Sequence, residues 1–406
     1  MPNQKKITRR GFNTALAATP FAAPMIVRSS ALGCGPRPAP SDRIVMGTIG
    51  TGGRGTGVMN SFMGFPEVQM VAVCDPVLAH RQRAEAIVNR KYGGDSCQTF
   101  NDFRELLSVA NIDAVLIGTP DHWHAIITIE SCKHGKDVFC EKPEALTIAE
   151  GRAMVNAARR YSRVVSGGSQ RVLGDYGDWP RLIRGGALGE IREIFVSCGG
   201  PSGECYLKPE AMPAGVDWDM WLGPAPWRPF HPSLIRGGFR PFRDYSGGGM
   251  TDWGAHRFGA AMFAAGIHRT GPVEITPPDG NEHQLLTFQF RNGLRMYHGG
   301  TNNITYKGTA GELPGKHPVM LDRVDMEGYR GRGGIVGDFL HCVRSRDFPF
   351  RDIEVAHRAA TVCHLGNIAY WLKRPLRWDP DEETFVGDAE ANRWIDRPRR
   401  GPWGLV

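Results

Sequence analysis

Short apolar runs alternate with longer amphipathic stretches from residue 43 to residue 166. Runs of strand length occupy residues 43–49, 68–74, 112–117, 137–140 and 164–166. The stretches between them have helical spacing, and Thr147 with Glu150 three residues later is the spacing of a helix-capping box. Strands that alternate with helices predict a parallel sheet covered on both faces, with ligands at the carboxyl ends of the strands.

A glycine-rich loop follows the first apolar run. Residues 50–55 read G-x-G-x-x-G and lead into a segment, 56–63, that can form a helix. Gly50 permits the tight turn, Gly52 lets the backbone approach a pyrophosphate, and Gly55 lets the helix pack close to the strand. The helix N-terminus offers free N–H groups to phosphates, so Gly53 and Arg54 join the expected cofactor site.

Asp75 ends the second strand, 20 residues beyond Gly55. A carboxylate at this distance binds a ribose hydroxyl in dinucleotide-binding domains. It would repel a 2′-phosphate, so the sequence favours NAD. The nearby His80, Arg81 and Arg83 keep NADP open as an alternative.

Three further motifs accompany the glycine loop: Thr119-Pro120 with His124, Glu141-Lys142-Pro143, and the segment 247–256, which contains Asp252 and His256. With them the chain resembles the Gfo/Idh/MocA family, named for glucose–fructose oxidoreductase and inositol dehydrogenase, over most of residues 43–375. The resemblance implies an α/β fold with an N-terminal Rossmann parallel sheet and a C-terminal α/β domain with an open, mostly antiparallel sheet. Strand-like runs at 191–198, 283–291, 294–298 and 319–325 and a helical stretch at 353–373 fit this expectation.

Oxidation of an alcohol needs a hydride acceptor, a base and a group that holds the developing alkoxide. Asp252 and His256 are four residues apart, so on one helix they would share a face, where the carboxylate would orient the imidazole and raise its basicity. Lys142 follows a strand and can donate to the substrate oxygen. The resemblance implies that these three residues are the catalytic or substrate-orienting set. It also assigns Thr119, Pro120, His124 and Glu141 to the cofactor site.

The segment from Pro201 to Trp253 is rich in aromatic residues and proline, with nine aromatics among 53 residues. Such loops can stack on sugar rings, or they can pack a local hydrophobic core or a subunit interface. We assign Trp123, Tyr245 and Arg243 to the substrate side. Arg236, Arg240 and Arg243 could receive an acidic sugar or a phosphate, or they could pair with neighbouring acids such as Asp244.

The first forty residues have the layout of an export signal. Arg9 and Arg10 precede Gly-Phe, an apolar stretch at 15–27 follows, and small residues come before Cys34. The paired arginines resemble a twin-arginine (Tat) signal, which exports folded proteins to the periplasm. The apolar stretch is too short to span a bilayer, and we do not expect lipid anchoring at Cys34.

The formal charge of +7 belongs almost entirely to this signal. Residues 1–40 contain six basic residues and no acid, which leaves +1 for residues 41–406. We therefore expect no nucleic-acid partner and no stable membrane insertion. The nine cysteines are scattered and form no paired framework, and although Asp252, His256, His122 and His124 have ligand-capable spacings, we expect no metal.

The sequence thus predicts a signal and linker at 1–40, an NAD(P)-binding Rossmann domain at 41–165 and a substrate-binding α/β domain with C-terminal helices at 166–406. The leading function is an NAD(P)-dependent oxidoreductase acting on a hydroxyl of a sugar, cyclitol or polyol. We expect it to keep its cofactor bound and to form a homo-oligomer. One alternative is an NAD-dependent glycosidase that oxidises C3 transiently. Another is a non-catalytic ligand-binding protein on a dehydrogenase scaffold.

Overall fold

The computed structural model describes residues 37–174, 179–314 and 333–405. The chain divides into two units, Met1–Arg43 and Ile44–Val406. In the first unit, the described residues contain a short 3-10 turn, Pro40–Asp42. The twin-arginine motif, Cys34 and the expected strand at 319–325 lie outside the described residues.

The first sheet consists of parallel strands. They are β1 (Ile44–Ile49), β2 (Val68–Cys74), β3 (Gln98–Phe100), β4 (Ala114–Ile117), β5 (Asp137–Cys140) and β6 (Val165–Gly167). Across the sheet their order is β3-β2-β1-β4-β5-β6, so the direction of winding reverses beside β1. Ligands of doubly wound sheets bind at this reversal, and the expected Rossmann sheet is confirmed.

Helices connect these strands. They are α1 (Gly53–Met63), α2 (Leu78–Tyr92), α3 (Phe103–Leu107), α4 (Asp121–Lys133) and α5 (Ile148–Arg160). The first helix begins three residues earlier than the expected segment 56–63, so Gly53 lies in its first turn. Thr147 caps α5 by accepting the N–H of Glu150, as predicted. Glu150 does not complete the capping box, because its carboxylate accepts from the N–H of Leu146 and from Arg397.

The second sheet is mixed and mostly antiparallel, as expected. Its strands are β7 (Ile191–Val196), β8 (Glu274–Thr276), β9 (Leu286–Gln289), β10 (Arg295–His298), β11 (Ile304–Gly308), β12 (Glu312–Leu313), β13 (Leu376–Asp379) and β14 (Thr384–Phe385). Their order is β12-β11-β7-β10-β9-β8-β13-β14. Only the β7–β10 pair is parallel among the described strand pairs of this sheet.

The second half also contains helices α6 (Arg171–Gly174), α7 (Trp179–Arg184), α8 (Trp218–Leu222), α9 (Gly249–Asp252), α10 (Gly254–Ala264), α11 (Gly334–Ser345), α12 (Ile353–Leu372) and α13 (Ala389–Asn392), and a π-helical turn at Leu234–Gly238. Helix α12 packs against both α10 and α5, and it thereby joins the two sheets. Both α10 and α12 are buried along most of their length because their residues are mainly small or apolar. No described helix combines the length and apolarity needed to cross a membrane.

Candidate active site

The glycine loop packs tightly on one side and is open on the other. Gly50 has a φ of +83°, and a Cβ there would collide with the backbone of Thr119. A Cβ on Gly55 would overlap the carbonyl oxygen of Gly50. Gly52 and Gly53 have open space beside them and line a cavity of about 750 Å³. The loop therefore fits a pyrophosphate, which can reach the free N–H groups at the start of α1.

Asp75 is buried at the end of β2 and lines the same cavity. One carboxylate oxygen accepts the N–H of Thr51 at 2.7 Å, and the other accepts the N–H of Val77 at 2.9 Å. The side chain thus holds the glycine loop. The neighbouring cations are already engaged: Arg81 donates to the carbonyl of Asp75, and Arg83 donates to the carbonyl of Thr51.

The loops after β4 and β5 bring further predicted residues to the cavity. Thr119, Pro120 and Glu141 line it. Glu141 accepts a hydrogen bond from Arg54 at 2.7 Å, and its other carboxylate oxygen has no hydrogen-bond partner among the described residues. His124 does not line the cavity.

His124 is buried and connects these two loops. Its ring nitrogens lie 2.7 Å from the carbonyl oxygen of Pro143 and 2.9 Å from that of Thr119. Burial lowers the pKa of His124 below its usual range. The side chain therefore fixes the loops after β4 and β5 relative to each other without itself reaching the cavity.

Lys142 and Asp252 form an ion pair in the cavity. The Nζ atom of Lys142 donates to Asp252 Oδ1 at 2.5 Å and to the Asp252 carbonyl oxygen at 3.0 Å. Arg240 Nε lies 3.3 Å from the same carboxylate oxygen. Burial acts to raise the pKa of Asp252, but Lys142 and Arg240 outweigh it, so that pKa lies below its usual range. The pair joins the loop after β5 to the end of α9.

His256 lines the cavity but is not paired with Asp252, which corrects the expected carboxylate–imidazole contact. Trp253 separates α9 from α10, so Asp252 ends one helix and His256 lies in the first turn of the next. The His256 side chain has no hydrogen-bond partner among the described residues. Burial and the positive charge of Lys142 lower the pKa of His256 to about 2, so its imidazole is uncharged at neutral pH.

Sequence reasoning missed Asp121, a carboxyl group in the first turn of α4. It is 4% exposed, lines the cavity, and its Oδ2 has no hydrogen-bond partner in the described part of the chain. Burial raises the pKa of Asp121 to about 7. The only sequence signal is its place directly after Thr119-Pro120. Gln170 and Arg171 also line the cavity and carried no motif.

The structure separates the three residues assigned to the substrate side. Trp123 lines the cavity, but it is buried and donates to the carbonyl of Trp221. Tyr245 is fully buried beside Trp221, in the local core that the aromatic-rich segment forms. Arg243 lies elsewhere, against the rings of both Trp371 and Trp394 at a second cavity of about 510 Å³.

Metal ligation and disulfide bonding find no support in the described residues. His122 is buried, and its ring lies 3.0 Å from the carbonyl oxygen of Trp221. No group of three or more metal-ligating side chains has a suitable arrangement in these ranges. The eight described cysteines are free, and six of them are buried.

The first half of the chain is a doubly wound sheet with this glycine loop at its reversal, and the second half contains a mixed sheet. This is the architecture of an NAD-binding α/β oxidoreductase. Residues 44–169 match the NAD-binding Rossmann fold of the GFO/IDH/MocA oxidoreductase family, and residues 200–405 match the C-terminal alpha/beta domain of that family. The chain belongs to the Gfo/Idh/MocA family.

Solved structures share the fold at low sequence identity. Myo-inositol 2-dehydrogenase from Lactobacillus plantarum is 17% identical with a TM-score of 0.58, and the likeness covers 82% of this chain and 99% of the other. The WlbA dehydrogenase from Bordetella pertussis, in complex with NADH and UDP-GlcNAcA, is 17% identical with a TM-score of 0.58, covering 83% and 99%.

Curated relatives match over a shorter stretch. Glycosyl hydrolase family 109 protein 1 of Shewanella sp. (strain MR-4) is 40% identical over 126 residues, which is 30% of this chain and 28% of that protein. An alpha-N-acetylgalactosaminidase from Shewanella oneidensis is 39% identical over 126 residues with the same coverage. The match thus spans little more than a quarter of these relatives.

Proposed function

We propose that the protein is an NAD-dependent oxidoreductase that acts on a hydroxyl group of a sugar, cyclitol or polyol and keeps its cofactor bound. The observation that carries this proposal is the Lys142–Asp252 ion pair, which stands in one cavity with the open face of the glycine loop. The family membership and the sugar and inositol dehydrogenases among the structural neighbours support it. NAD supplies the hydride acceptor when it is bound.

Each residue of the site has a distinct task in this proposal. The Lys142 ammonium group donates a hydrogen bond to the substrate hydroxyl and stabilises the negative charge that develops on its oxygen. Asp252 holds the ammonium group in place. His256 is uncharged and accepts the hydroxyl proton at a ring nitrogen. Because burial and the surrounding cations disfavour an imidazolium ion, the proton passes on, and Asp121, which lines the same cavity, is its proposed acceptor.

The choice of NAD rests on Asp75. Its carboxylate faces the cavity, and Arg81 and Arg83 are engaged with backbone carbonyls, so neither guanidinium is poised for a 2′-phosphate. Binding titrations with NAD and NADP test this choice. We expect tighter binding of NAD, and equal or tighter binding of NADP would contradict it.

A second candidate is an NAD-dependent glycosidase, favoured by the relatives named glycosyl hydrolase family 109. In that reaction the C3 hydroxyl is oxidised, a base takes the C2 proton while the glycosidic C1–O bond breaks, water adds across the resulting C1–C2 double bond, and the C3 ketone is reduced again. This route needs a second proton carrier beside His256, and Asp121 lies in the same cavity.

The test uses the full chain as purified, a panel of sugars and cyclitols, and nitrophenyl glycosides. Build-up of reduced nicotinamide supports the dehydrogenase, whereas release of nitrophenol without such build-up supports the glycosidase. Lys142→Ala and His256→Ala should each abolish turnover and retain the cofactor. Lys133→Ala and His134→Ala, two exposed positions on the same half, are the matched controls. Retained turnover in both site variants would overturn the catalytic assignment.

We propose that the protein is located in the periplasm and reaches it in the folded state by the twin-arginine route.

We also propose that the protein is a homo-oligomer. Light scattering of the purified protein tests this directly, and a monomeric mass would contradict it.

A further inference from the structure

Lysine and arginine side chains outnumber carboxylates in the wall of the cavity. Five of them line it: Arg54, Lys142, Arg171, Arg236 and Arg240. The carboxylates that line it among the described residues are Asp75, Asp121, Glu141 and Asp252, of which Glu141 is paired with Arg54 and Asp75 holds the glycine loop. Lys142 and Arg240 share Asp252, so one carboxylate serves two of the cations.

The π-helical turn Leu234–Gly238 and the two residues that follow it carry two of these cations, Arg236 and Arg240. Leu234 and Phe239 are buried in the aromatic core of the segment. Arg240 donates to the carbonyl oxygen of Gly237 at 3.1 Å and lies over the ring of Phe239. Arg236 lies on the same turn, and its guanidinium group has no hydrogen-bond or ion-pair partner among the described residues.

Arg171 is placed by the catalytic segment itself. Its guanidinium carbon lies 4.8 Å from the ring centre of Trp253, the residue between α9 and α10. Trp253 is 40% exposed and forms part of the cavity wall. Because Arg171 and Arg240 contact residues 252 and 253, their charge is directed at the reacting end and not at the open face of the glycine loop.

Arg236 lacks a partner in the described part of the chain, and Arg240 shares its carboxylate with Lys142, so an anion that reaches both guanidinium groups gains two favourable charge interactions. Guanidinium groups bind carboxylate, phosphate and sulfate groups through paired hydrogen bonds. We propose that the substrate is a sugar or cyclitol with an anionic substituent, which Arg236 and Arg240 bind while a ring hydroxyl meets Lys142. This proposal rests on the proposed function and names the substrate class of the same site.

The test compares neutral sugars with charged partners of the same ring. Glucose, galactose and mannose are each paired with the uronate, the 6-phosphate and the 6-sulfate, and reduction of bound nicotinamide is followed. We expect at least one charged series to exceed its neutral partner about tenfold or more in kcat/KM, with the advantage falling as salt rises. The series that reacts fastest identifies the anion. Equal or faster reaction of the neutral sugars would overturn the proposal.

Variants of Arg236 test whether this residue causes the preference for charged sugars. Arg236→Gln should raise KM for the charged sugar about 10- to 100-fold, the usual loss of a charged hydrogen bond, with neutral sugars unaffected. Arg236→Lys should restore part of the loss, and Arg192→Gln, an exposed arginine on β7, is the control. An equal effect on neutral and charged sugars, or an effect on NADP binding instead, would contradict the assignment.

The two proposals fail in different ways. If no sugar reduces the cofactor, the oxidoreductase proposal fails, and calorimetric titration of the same uronates, phosphates and sulfates decides the charge preference. Binding of the charged sugars that Arg236→Gln weakens upholds the anionic class. Absence of such binding refutes it.

Discussion

Two ionisable side chains of the cavity respond to burial in opposite directions. Burial disfavours the charged form of each, so the pKa of His256 falls to about 2 while that of Asp121 rises to about 7. At neutral pH the imidazole is uncharged, whereas the carboxyl group of Asp121 titrates close to pH 7. The residue therefore couples the site to pH.

Asp121→Asn tests this coupling. If the ionised carboxylate receives the proton, kcat/KM of the wild-type protein rises with pH through about 7 and then levels off. The variant should lack this inflection and reach a plateau about 10- to 100-fold lower. Asp95→Asn, at an exposed loop position, should retain the wild-type profile. An unchanged inflection in the Asp121→Asn variant would refute the role of this carboxyl group.

The same substitution changes the pH dependence of stability. A carboxyl group whose pKa is raised by folding stabilises most below its unfolded pKa of about 4, and this contribution is lost as the pH rises through about 7. Thermal unfolding between pH 5 and pH 8 should show a smaller fall in Tm for Asp121→Asn than for the wild-type protein. An equal or larger fall would contradict the raised pKa.

Sequence motifs identified Lys142, Asp252 and His256, which the structure brings to one cavity, but the contact expected between Asp252 and His256 was wrong, because Asp252 pairs with Lys142. Asp121 escaped notice because an acid in the first turn of a helix is common and needs no functional reason. Arg243 was assigned to the substrate because it lies nine residues before Asp252. Proximity along the chain does not show to which side of a loop a side chain points, and the structure places it at another cavity.

At the scale of elements, continuous apolar runs predicted strands well. The bounds of β2 and β5 agree with the expected runs, because a strand covered on both faces is apolar throughout. The end of α9 and the start of α10 could not be predicted from the sequence in the same way. Trp253, the residue between the two helices, keeps helical backbone angles, so the interruption is small.

The glycine loop provides a matched pair of substitutions within one helix. Gly55→Ala places a methyl group against the carbonyl oxygen of Gly50, so we expect unfolding free energy to fall by ~1–3 kcal/mol and cofactor affinity to fall with it. Gly57→Ala meets open space and should be neutral or stabilise α1 by up to ~1 kcal/mol. Denaturant unfolding and NAD titration measure both effects, and equal effects of the two substitutions would contradict the packing argument.

At the scale of the whole molecule, the C-terminal segment joins the second half to the Rossmann sheet. Arg397 and Arg399 contact the buried Glu150 on α5. The ring of Trp403 lies 4.7 Å from that of Trp123, which also packs against Phe103. The sequence predicted C-terminal helices, but it did not predict that the C-terminal segment packs against the Rossmann half. The Rossmann residues that this segment contacts lie more than two hundred positions earlier in the chain.

Trp403→Ala should therefore destabilise the whole protein. Removal of a buried indole typically costs ~3–5 kcal/mol, and Trp403 is 8% exposed. Trp227→Ala, at an indole that is 66% exposed, should change stability by less than ~0.5 kcal/mol. Thermal and denaturant unfolding compare the two, and a small effect at Trp403 would show that the segment is not anchored as described.

The location of the molecule depends on residues outside the described ranges. We predict that replacing Arg9 and Arg10 with lysine retains the protein in the cytoplasm, because the twin-arginine route depends on the arginine pair. Fractionation of the full chain and of this double variant, with a periplasmic marker, measures the outcome. Unimpaired export of the variant would refute the proposed route.

Native mass spectrometry of the protein as purified shows whether this cavity holds a dinucleotide. We expect a mass that exceeds that of the chain by one NAD or NADH for each subunit. This extra mass should be lost in Gly55→Ala and retained in Gly57→Ala. A mass equal to the chain alone, with no increase after incubation with NAD or NADP, would show that the cavity does not bind a dinucleotide.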